Sequence, residues 1–370
     1  MKILFICGSL EPGNDGVGDY TARLANELLR IGHTVSILAF NDKFSIHLSS
    51  GAGEVPILRM PSDWPLKTRF LKAKDWINEF KPDWISLQFV IFSFNKKGLP
   101  FGLASRLSAL GTNCKWHIMF HELWVQKQKR FNIKRYLWGI AQCKLINNLI
   151  KKLNPRIIHT NTSLYQKKLA ELGFQAHILP LFSNIPNIAH LERLKNTALK
   201  PDGKLIFVIF GTIHPGVPVK DFVEEVSNYA IKTGIQSTLT VIGRCGNEQE
   251  SWIRCWTAAG MMVNKLGEQS AINISEVLGA ATFGISTTDI ALIQKSGSVA
   301  AMYEHGLPVI CIPCRWQFKR NPGIVVPKGT VVYQAGNVEK ILGGPLNLPV
   351  PIDIKAIARQ FSDCLLNNNV

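Results

Sequence analysis

Hydrophobic runs of strand length alternate with segments whose apolar residues recur at helical spacing along most of the chain. This alternation is typical of a parallel sheet flanked by helices. In the first half, the pattern predicts strands at 3–7, 35–39, 84–89, 115–120 and 156–159, and a helix at 21–31 that ends before Gly32.

The pattern restarts after a proline-rich segment. Residues 180–203 contain Pro180, Pro186 and Pro201 and little strand pattern, so they are interpreted as an interdomain connection. Immediately after it, residues 204–212 resemble residues 2–9 in sequence. Further strands are predicted at 239–242, 282–285 and 308–312, and helices at 219–232, 248–259, 272–280, 296–305 and 352–366.

The pattern therefore predicts two α/β domains that face each other across a cleft. Each domain is expected to be a Rossmann-like doubly wound sheet. A length of 370 residues agrees with two domains of about 100–200 residues each. The expected boundaries are 1–182 for the first domain, 183–203 for the connection, 204–347 for the second domain and 348–370 for a terminal helical segment. Ligands of open α/β sheets bind outside the carboxyl ends of the strands, so the loops that follow strands are the candidate sites.

The first candidate loop is glycine-rich and leads into the first helix. Residues 8–20 contain Gly8, Gly13, Gly16 and Gly18. Glycine lets a backbone approach a ligand closely, and exposed amides at a helix start bind phosphate. The spacing differs from the dinucleotide GxGxxG motif. The alternative is that Asp15 and Asp19 only cap the helix.

The second candidate loop is Lys295-Ser296-Gly297-Ser298, which precedes a predicted helix. Helix-start amides and one ammonium group converging on the same oxygens would bind a diphosphate. The loop lacks the spacing of a P-loop, which argues against ATP hydrolysis. In the alternative interpretation, Ser296 is only an N-cap and Lys295 is solvated.

Two further side chains follow predicted strands. His121, which precedes Glu122, could contact sugar hydroxyls or transfer a proton, although a structural histidine is the alternative. Arg244 could neutralise a phosphate, or it could be an ordinary surface arginine.

Together these segments resemble the retaining glycosyltransferases of the GT-B fold, in particular the family 4 group. The matching segments are 16–25, His121-Glu122, 242–244 and 295–310, and they occur in the family's order. The resemblance implies transfer of a sugar from a nucleoside-diphosphate sugar to an acceptor hydroxyl, with retention, without a metal and without a cofactor other than the co-substrate. It also implies that the second domain binds the donor and the first domain the acceptor, and that the terminal helix packs on the first domain.

The resemblance also implies residue roles. The expected catalytic residues are His121 and Asp19. The expected donor-sugar residues are His121, Glu122 and Asp289, and the diphosphate residues are Gly16, Val17, Gly18, Arg244, Lys295, Ser296, Gly297 and Ser298.

The chain departs from the family pattern at two places. Ile293 and Ala301 stand where the family often has two glutamates, and residues 211–215 contain no arginine or lysine. These departures motivate one alternative function, a catalytically silent GT-B protein.

Positive charge is concentrated in one stretch of the chain. The formal net charge is +16, and residues 123–170 contain eleven Lys and Arg and no Asp or Glu. A predicted long helix within 123–153 mixes these cations with apolar side chains, which suits docking to an anionic membrane surface. A core-packed helix with a solvated basic edge is the alternative, and nucleic-acid binding is a further, less favoured one because no known nucleic-acid module is present.

Location and metal binding are the remaining expectations. The N-terminal apolar segment is shorter than a signal-peptide core, and no segment is long enough to span a bilayer. We expect a cytoplasmic protein, peripheral on the inner face of the membrane, acting in glycan or glycolipid synthesis on a lipid-linked or membrane-proximal acceptor. The eight cysteines are expected to be reduced thiols, and the spacing of Cys311 and Cys314 alone is weak evidence for a metal site.

Overall fold

The computed structural model describes residues 1–11, 15–42, 53–111, 114–124, 133–187, 204–314, 325–345 and 347–368. The chain divides into two compact units, one formed by Met1–Pro180 with Ile354–Val370 and the other by Leu181–Asp353. Each unit is built on one parallel sheet. Of the predicted connection 183–203, only residues 183–187 lie within the described ranges.

The first unit contains a seven-stranded sheet. Its strands are β1 (Lys2–Cys7), β2 (Thr34–Asp42), β3 (Ile57–Pro61), β4 (Trp84–Phe89), β5 (Lys115–Phe120), β6 (Ile157–Thr160) and β7 (His177–Ile178), in the order β3-β2-β1-β4-β5-β6-β7. All neighbouring strands are parallel. Every residue of β4 is buried, as expected for a central strand covered on both faces.

The helices of this unit connect successive strands. They are α1 (Gly16–Arg30), α2 (Leu66–Phe80), α3 (Ile91–Phe94), α4 (Leu103–Ser108), α5 (Ile133–Leu153) and α6 (Ser163–Glu171). The expected long helix within 123–153 is thus found from Ile133 onward, and residues 125–132 lie outside the described ranges. No helix in the described part of the chain is long and apolar enough to cross a bilayer.

The second unit repeats the same strand order with six strands. They are β8 (Lys204–Phe210), β9 (Gln236–Ile242), β10 (Met262–Gly267), β11 (Phe283–Ser286), β12 (Val309–Cys311) and β13 (Thr330–Val332), arranged β10-β9-β8-β11-β12-β13. The helices are α7 (Val219–Thr233), α8 (Gln249–Ala258), α9 (Ala271–Ala280), a 3-10 helix (Ile290–Lys295), α10 (Gly297–Glu304) and α11 (Val338–Gly343). In both sheets the strand order reverses between the first and fourth strands, which is the usual ligand position in such folds.

The last helix, α12 (Ile354–Asn367), belongs to the first unit. Its Phe361 is fully buried and stacks on Phe5 of β1 with ring centroids 5.8 Å apart. Ser362 Oγ lies 2.7 Å from Nε2 of His33, in the turn that follows α1. The end of the chain therefore completes the core of the unit with which the chain begins.

The structure differs from the predicted elements in two respects. Helix α1 begins at Gly16 and not at Thr21, because Asp15 caps it. The sheets also contain β3, β7, β10 and β13, which the pattern did not predict. Strand β10 is an edge strand in which no residue is fully buried, and β7 and β13 have only two and three residues, so these strands carry little hydrophobic signal.

Candidate functional site

The glycine-rich segment after β1 ends in a capped helix start. Asp15 Oδ1 accepts hydrogen bonds from the amides of Val17, at 3.0 Å, and Gly18, at 3.1 Å. Burial raises the pKa of Asp15, while these two hydrogen bonds oppose the rise. Asp15 therefore caps α1, as the alternative interpretation of the segment expects. A diphosphate at the amides of Val17 and Gly18 would have to compete with this carboxylate.

Gly18 has a packing reason to lack a side chain. A Cβ at this position would lie 2.4 Å from the carbonyl oxygen of Ser9, whereas a Cβ on Gly16 would meet no described atom within 4 Å. Asp19 lies in the first turn of α1, half-buried, and its amide bonds to the carbonyl oxygen of Asp15. Gly13 lies outside the described residues.

His121 follows β5 and is buried, with 5% of its surface exposed. Its Nε2 lies 2.9 Å from Oε1 of Gln88 on β4. The ring of Tyr20 on α1 meets the His121 ring edge-on at 5.0 Å. The structure thus brings His121 next to the first turns of α1 through Tyr20, and half-buried Glu122 follows His121 directly.

In the second unit, the segment after β8 meets the start of α10. Gly211 has a φ of +80°, and a Cβ there would lie 2.9 Å from Oγ of Ser298. Ser296 is the N-cap of α10, and its side chain accepts from the amide of Val299 at 3.4 Å. Gly297 begins the helix with no described atom within 4 Å of a Cβ position, so the helix start is open on this side.

A histidine that the sequence interpretation passed over lies in the same region. The amide of His214 donates to Oγ1 of Thr287, after β11, at 2.7 Å. Partial burial and the nearby Lys295 ammonium lower the pKa of His214, and Asp289 opposes that effect. His214, Lys295 and Asp289 are therefore electrostatic neighbours at the edge where β8 and β11 end. The only available sequence signal was a histidine in a loop without arginine or lysine.

Asp289 and Arg244 each have a partner in the second unit. Asp289 caps the 3-10 helix, because its Oδ1 accepts from the amide of Ala291 at 2.9 Å. Arg244 Nε lies 2.8 Å from Oε1 of Glu268, and both side chains are 65% exposed. Arg244 is thus an ion-paired surface arginine in this structure, while its proposed contact with a phosphate stays a prediction.

The cysteines are free thiols. Burial raises the pKa of Cys311 to about 12, and its Sγ donates to the carbonyl oxygen of Thr288 at 3.3 Å. Cys314 Sγ donates to the carbonyl oxygen of Pro215 at 3.1 Å. Within the described ranges, no group of three or more His, Cys, Asp or Glu residues is placed to hold a metal ion.

Solved structures with the same fold cover almost the whole chain. Sucrose-phosphate synthase from Thermosynechococcus elongatus has a TM-score of 0.63 at 14% identity, over 99% of both chains. HepE from Anabaena, in complex with UDP and glucose, has a TM-score of 0.61 at 13% identity, over 99% of this chain and 100% of that chain. The chain therefore has the fold of the GT-B proteins, two parallel-sheet α/β units with seven and six strands.

The fold is shared beyond transferases. UDP-GlcNAc 2-epimerase from Neisseria meningitidis, bound to UDP-GlcNAc, has a TM-score of 0.58 at 14% identity, over 99% of this chain and 100% of that chain. No protein-family model matches the sequence. No curated protein matches it either. Membership of family 4 and a retaining reaction thus remain predictions that the sequence motifs alone carry.

Proposed function

We propose that the protein is a glycosyltransferase that uses a nucleoside-diphosphate sugar as donor and a hydroxyl group as acceptor. The observation that carries this proposal is the cluster of Gly211, His214, Lys295 and Ser298 around the open start of α10. Helix-start amides and a cation favour a diphosphate at such a position. HepE, which shares the fold, is described in complex with UDP and with UDP-glucose, and this supports a donor of the same class.

Within this proposal, the residues of each unit have distinct roles. Lys295 and the amides from Gly297 onward bind the diphosphate. Arg244 exchanges its ion pair with Glu268 for one with a phosphate group. Asp289 binds a sugar hydroxyl. In the first unit, His121 and Glu122 bind the donor sugar. Asp19 and His121 are the catalytic residues. We further propose retention and metal independence, supported by the resemblance to family 4 described above.

A binding assay tests the donor first. A nucleotide at 100 times its dissociation constant stabilises a protein by about 2.7 kcal/mol, which a thermal-shift panel of nucleoside diphosphates and nucleotide sugars detects easily. We expect at least one compound to shift the melting temperature. We expect Lys295→Ala to reduce that shift, whereas Lys328→Ala, which removes an exposed lysine of the same unit, leaves it unchanged. A panel without any shift contradicts the proposal.

A product assay then separates the reaction classes. A transferase that is given an acceptor releases the free nucleoside diphosphate, whereas an epimerase that interconverts sugar nucleotides yields a second sugar nucleotide. We expect release of nucleoside diphosphate that continues after treatment with a chelator. Donor binding without either product, over a panel of acceptors that includes lipid-linked ones, would favour the catalytically silent alternative.

For the acceptor, we propose presentation at an anionic membrane surface. From residue 84 to residue 170 the chain has fifteen Lys and Arg and a single acidic residue, Glu122. On α5, Ile133 and Leu137 are 53% and 56% exposed and share one helix face, flanked by the exposed Lys134 and Arg135. Apolar side chains among cations are typical of helices that bind the headgroup region of anionic bilayers.

Further exposed apolar side chains lie on elements of the same unit. Phe101, which precedes α4, is 67% exposed, and Phe92 of α3 meets the ring of Trp138 on α5 edge-on at 5.9 Å. The indole of Trp138 donates to the carbonyl oxygen of Lys97 at 2.8 Å, which fixes this loop against α5. Each Lys or Arg near an anionic surface contributes about 1 kcal/mol of attraction.

Vesicle sedimentation tests the membrane proposal. We expect binding to vesicles that contain phosphatidylglycerol and none to pure phosphatidylcholine. The double variant I133S/L137S should lose binding, whereas I231S, at a 78% exposed isoleucine of α7, should keep it. Retention of binding by the double variant contradicts the proposal. Salt-sensitive binding to duplex DNA that is equal in all three proteins would favour the nucleic-acid alternative.

A further inference from the structure

A chain of five buried polar side chains crosses the centre of the first sheet. His121 Nε2 lies 2.9 Å from Gln88 Oε1, and Gln88 Nε2 donates to Ser86 Oγ at 2.8 Å. Ser86 Oγ lies 2.8 Å from His117 Nδ1, and His117 Nε2 lies 2.9 Å from His159 Nδ1. We call this the histidine chain. At most 5% of any of its members is exposed.

The histidine chain follows from the geometry of the strands. Residues two apart on a strand point to the same face of a sheet, so Ser86 and Gln88 on β4 share a face. By the same alternation, His117 on β5 and His121, directly after β5, share a face. Ser86 pairs with His117 in register. On this face Phe361 of α12 covers the rings, with its centroid 5.0 Å from that of His117. Water is therefore kept away from the middle of the chain.

His117 and His159, the two histidines farthest from His121 in the histidine chain, are neutral near neutral pH. Burial lowers the pKa of His117 well below its usual value, and its histidine neighbours at 159 and 121 lower it further. Burial lowers the pKa of His159 to about 4, and the nearby His177 adds to this effect. A neutral imidazole has one donor nitrogen and one acceptor nitrogen, so each ring in the chain must adopt one tautomer.

The proton positions along the chain are therefore linked. The Ser86 oxygen accepts from the Gln88 amide group, and we assign its hydroxyl hydrogen to Nδ1 of His117, 2.8 Å away, so that this buried hydroxyl also donates. His117 then carries its proton on Nε2 and donates to Nδ1 of His159. At the other end, Oε1 of Gln88 can only accept, so His121 donates from Nε2, and the neutral form of His121 then has its lone pair on Nδ1. With this assignment every hydrogen bond points away from His121, and the network ends at Nε2–H of His159, for which the described residues offer no acceptor.

We propose that the histidine chain fixes His121 as the Nε2–H tautomer with one ring orientation, and that His117 and His159 are positioning residues acting through Gln88. If His121 contacts the donor sugar, which rests on the function proposed above, the chain decides that Nδ1 is the nitrogen that accepts a proton or a hydroxyl hydrogen bond. Replacing buried hydrogen-bonded partners by apolar side chains of the same shape can be nearly neutral or stabilising. The end of the histidine chain at His121 therefore accounts for these polar residues better than stability does.

Nitrogen-15 labelling of histidine tests the tautomer directly. Long-range proton–nitrogen correlation spectra distinguish Nε2–H from Nδ1–H rings in the full-length protein without any ligand. We expect His121 as a single Nε2–H species. His305 in the second unit is an internal reference. Its Nδ1 donates to the carbonyl oxygen of Ala301 at 2.8 Å and its Nε2 accepts from Ser275, so it should remain Nδ1–H throughout.

Two near-isosteric variants at the far end of the chain provide the control. In His159→Asn the amide oxygen can still accept from His117, so His121 should stay Nε2–H. In His159→Leu the acceptor is lost, His117 gains by moving its proton to Nδ1, and His121 should become a mixture of both tautomers. Ser86→Ala interrupts the chain at a smaller side chain and should have the same effect, which covers a failure of the leucine variant to fold.

The outcomes separate this inference from the proposed function. A wild-type His121 in the Nδ1–H form, or a His121 that is identical in wild type, His159→Leu and Ser86→Ala, overturns the positioning role. If the tautomer responds as expected but no nucleotide binds, the chain is established and the glycosyltransferase proposal fails. If turnover is measurable, His159→Leu should lower kcat more than it changes KM, and His159→Asn should restore kcat.

Discussion

The buried histidine pair should make the first unit sensitive to acid. In the folded protein the pKa of His159 is about 4, whereas a histidine in an unfolded chain titrates near 6.5. Between these two values the unfolded chain binds more protons than the folded one, so stability falls as the pH falls. Above about pH 6.5, where His159 is neutral in both the folded and the unfolded state, this loss of stability is absent.

The size of the effect follows from the difference between the two pKa values. For His159 alone, lowering the pH from about 7 to about 5 should cost about 2 kcal/mol of unfolding free energy. His117, which is also buried, adds to the loss in the same direction. Such a loss is a large fraction of the stability of a typical domain, about 5–15 kcal/mol.

Hydrogen exchange detected by mass spectrometry measures this loss within the first unit alone. Peptides that contain β5 and β6 report the free energy of opening at each pH, after correction for the intrinsic exchange rate. We expect His159→Asn to lose about 2 kcal/mol less than wild type over the same pH interval. The matched control is His177→Asn, which keeps the buried pair and removes only the smaller cause of the lowered His159 pKa, so its loss should stay close to that of wild type. Equal losses in wild type and His159→Asn would refute the reasoning.

Three further perturbations have expected outcomes. Binding of a nucleoside diphosphate, measured by calorimetry, should tighten as the pH falls below about 7. The bound anion favours protonated His214, whose pKa is lowered in the free protein. In His214→Ala the affinity should depend less on pH. Gly18→Ala should destabilise by about 1–3 kcal/mol in urea unfolding, because its Cβ would lie 2.4 Å from the carbonyl oxygen of Ser9, whereas Gly16→Ala should be neutral or stabilise by up to about 1 kcal/mol. Phe361→Ala should cost about 3–5 kcal/mol in the first unit, since the ring is fully buried, and an unchanged unfolding midpoint would contradict its place in the core.

The fold was predictable because its central strands are short, mainly apolar runs. The predicted bounds of β4 and β5 agree with the structure, and the helix predicted at 219–232 is α7, one residue longer. Parallel strands buried on both faces give such a signal without reference to the rest of the protein. Edge strands such as β10 expose most of their residues and give none.

The candidate site was predictable only in part, because its contacts depend on register between strands. Nothing local to His121 indicates that Gln88 is its partner, since their proximity requires that Phe89 pairs with Phe120. In the same way, the approach of His214 to Lys295 depends on β8 and β11 being neighbours. Residues that follow a strand can be selected from the sequence, but their partners come from the sheet.

The glycine-rich segment shows a different limit. Its four glycines indicated a loop that approaches a ligand, yet the structure explains Gly18 by its contact with Ser9 and uses Asp15 as the helix cap. Both glycine and a carboxylate are common at helix starts for structural reasons. Composition alone does not distinguish these reasons from ligand binding.

The position of α12 has a consequence for synthesis of the protein on the ribosome. Domains generally fold as units, the N-terminal one first, but the core of the first unit here includes Phe361, which is translated after the entire second unit. Until that residue leaves the ribosome, Phe5 and the rings of His117 and His159 lack their cover. The second unit, whose residues are contiguous, is complete earlier. The complete set of core residues is thus available to the second unit before it is available to the first.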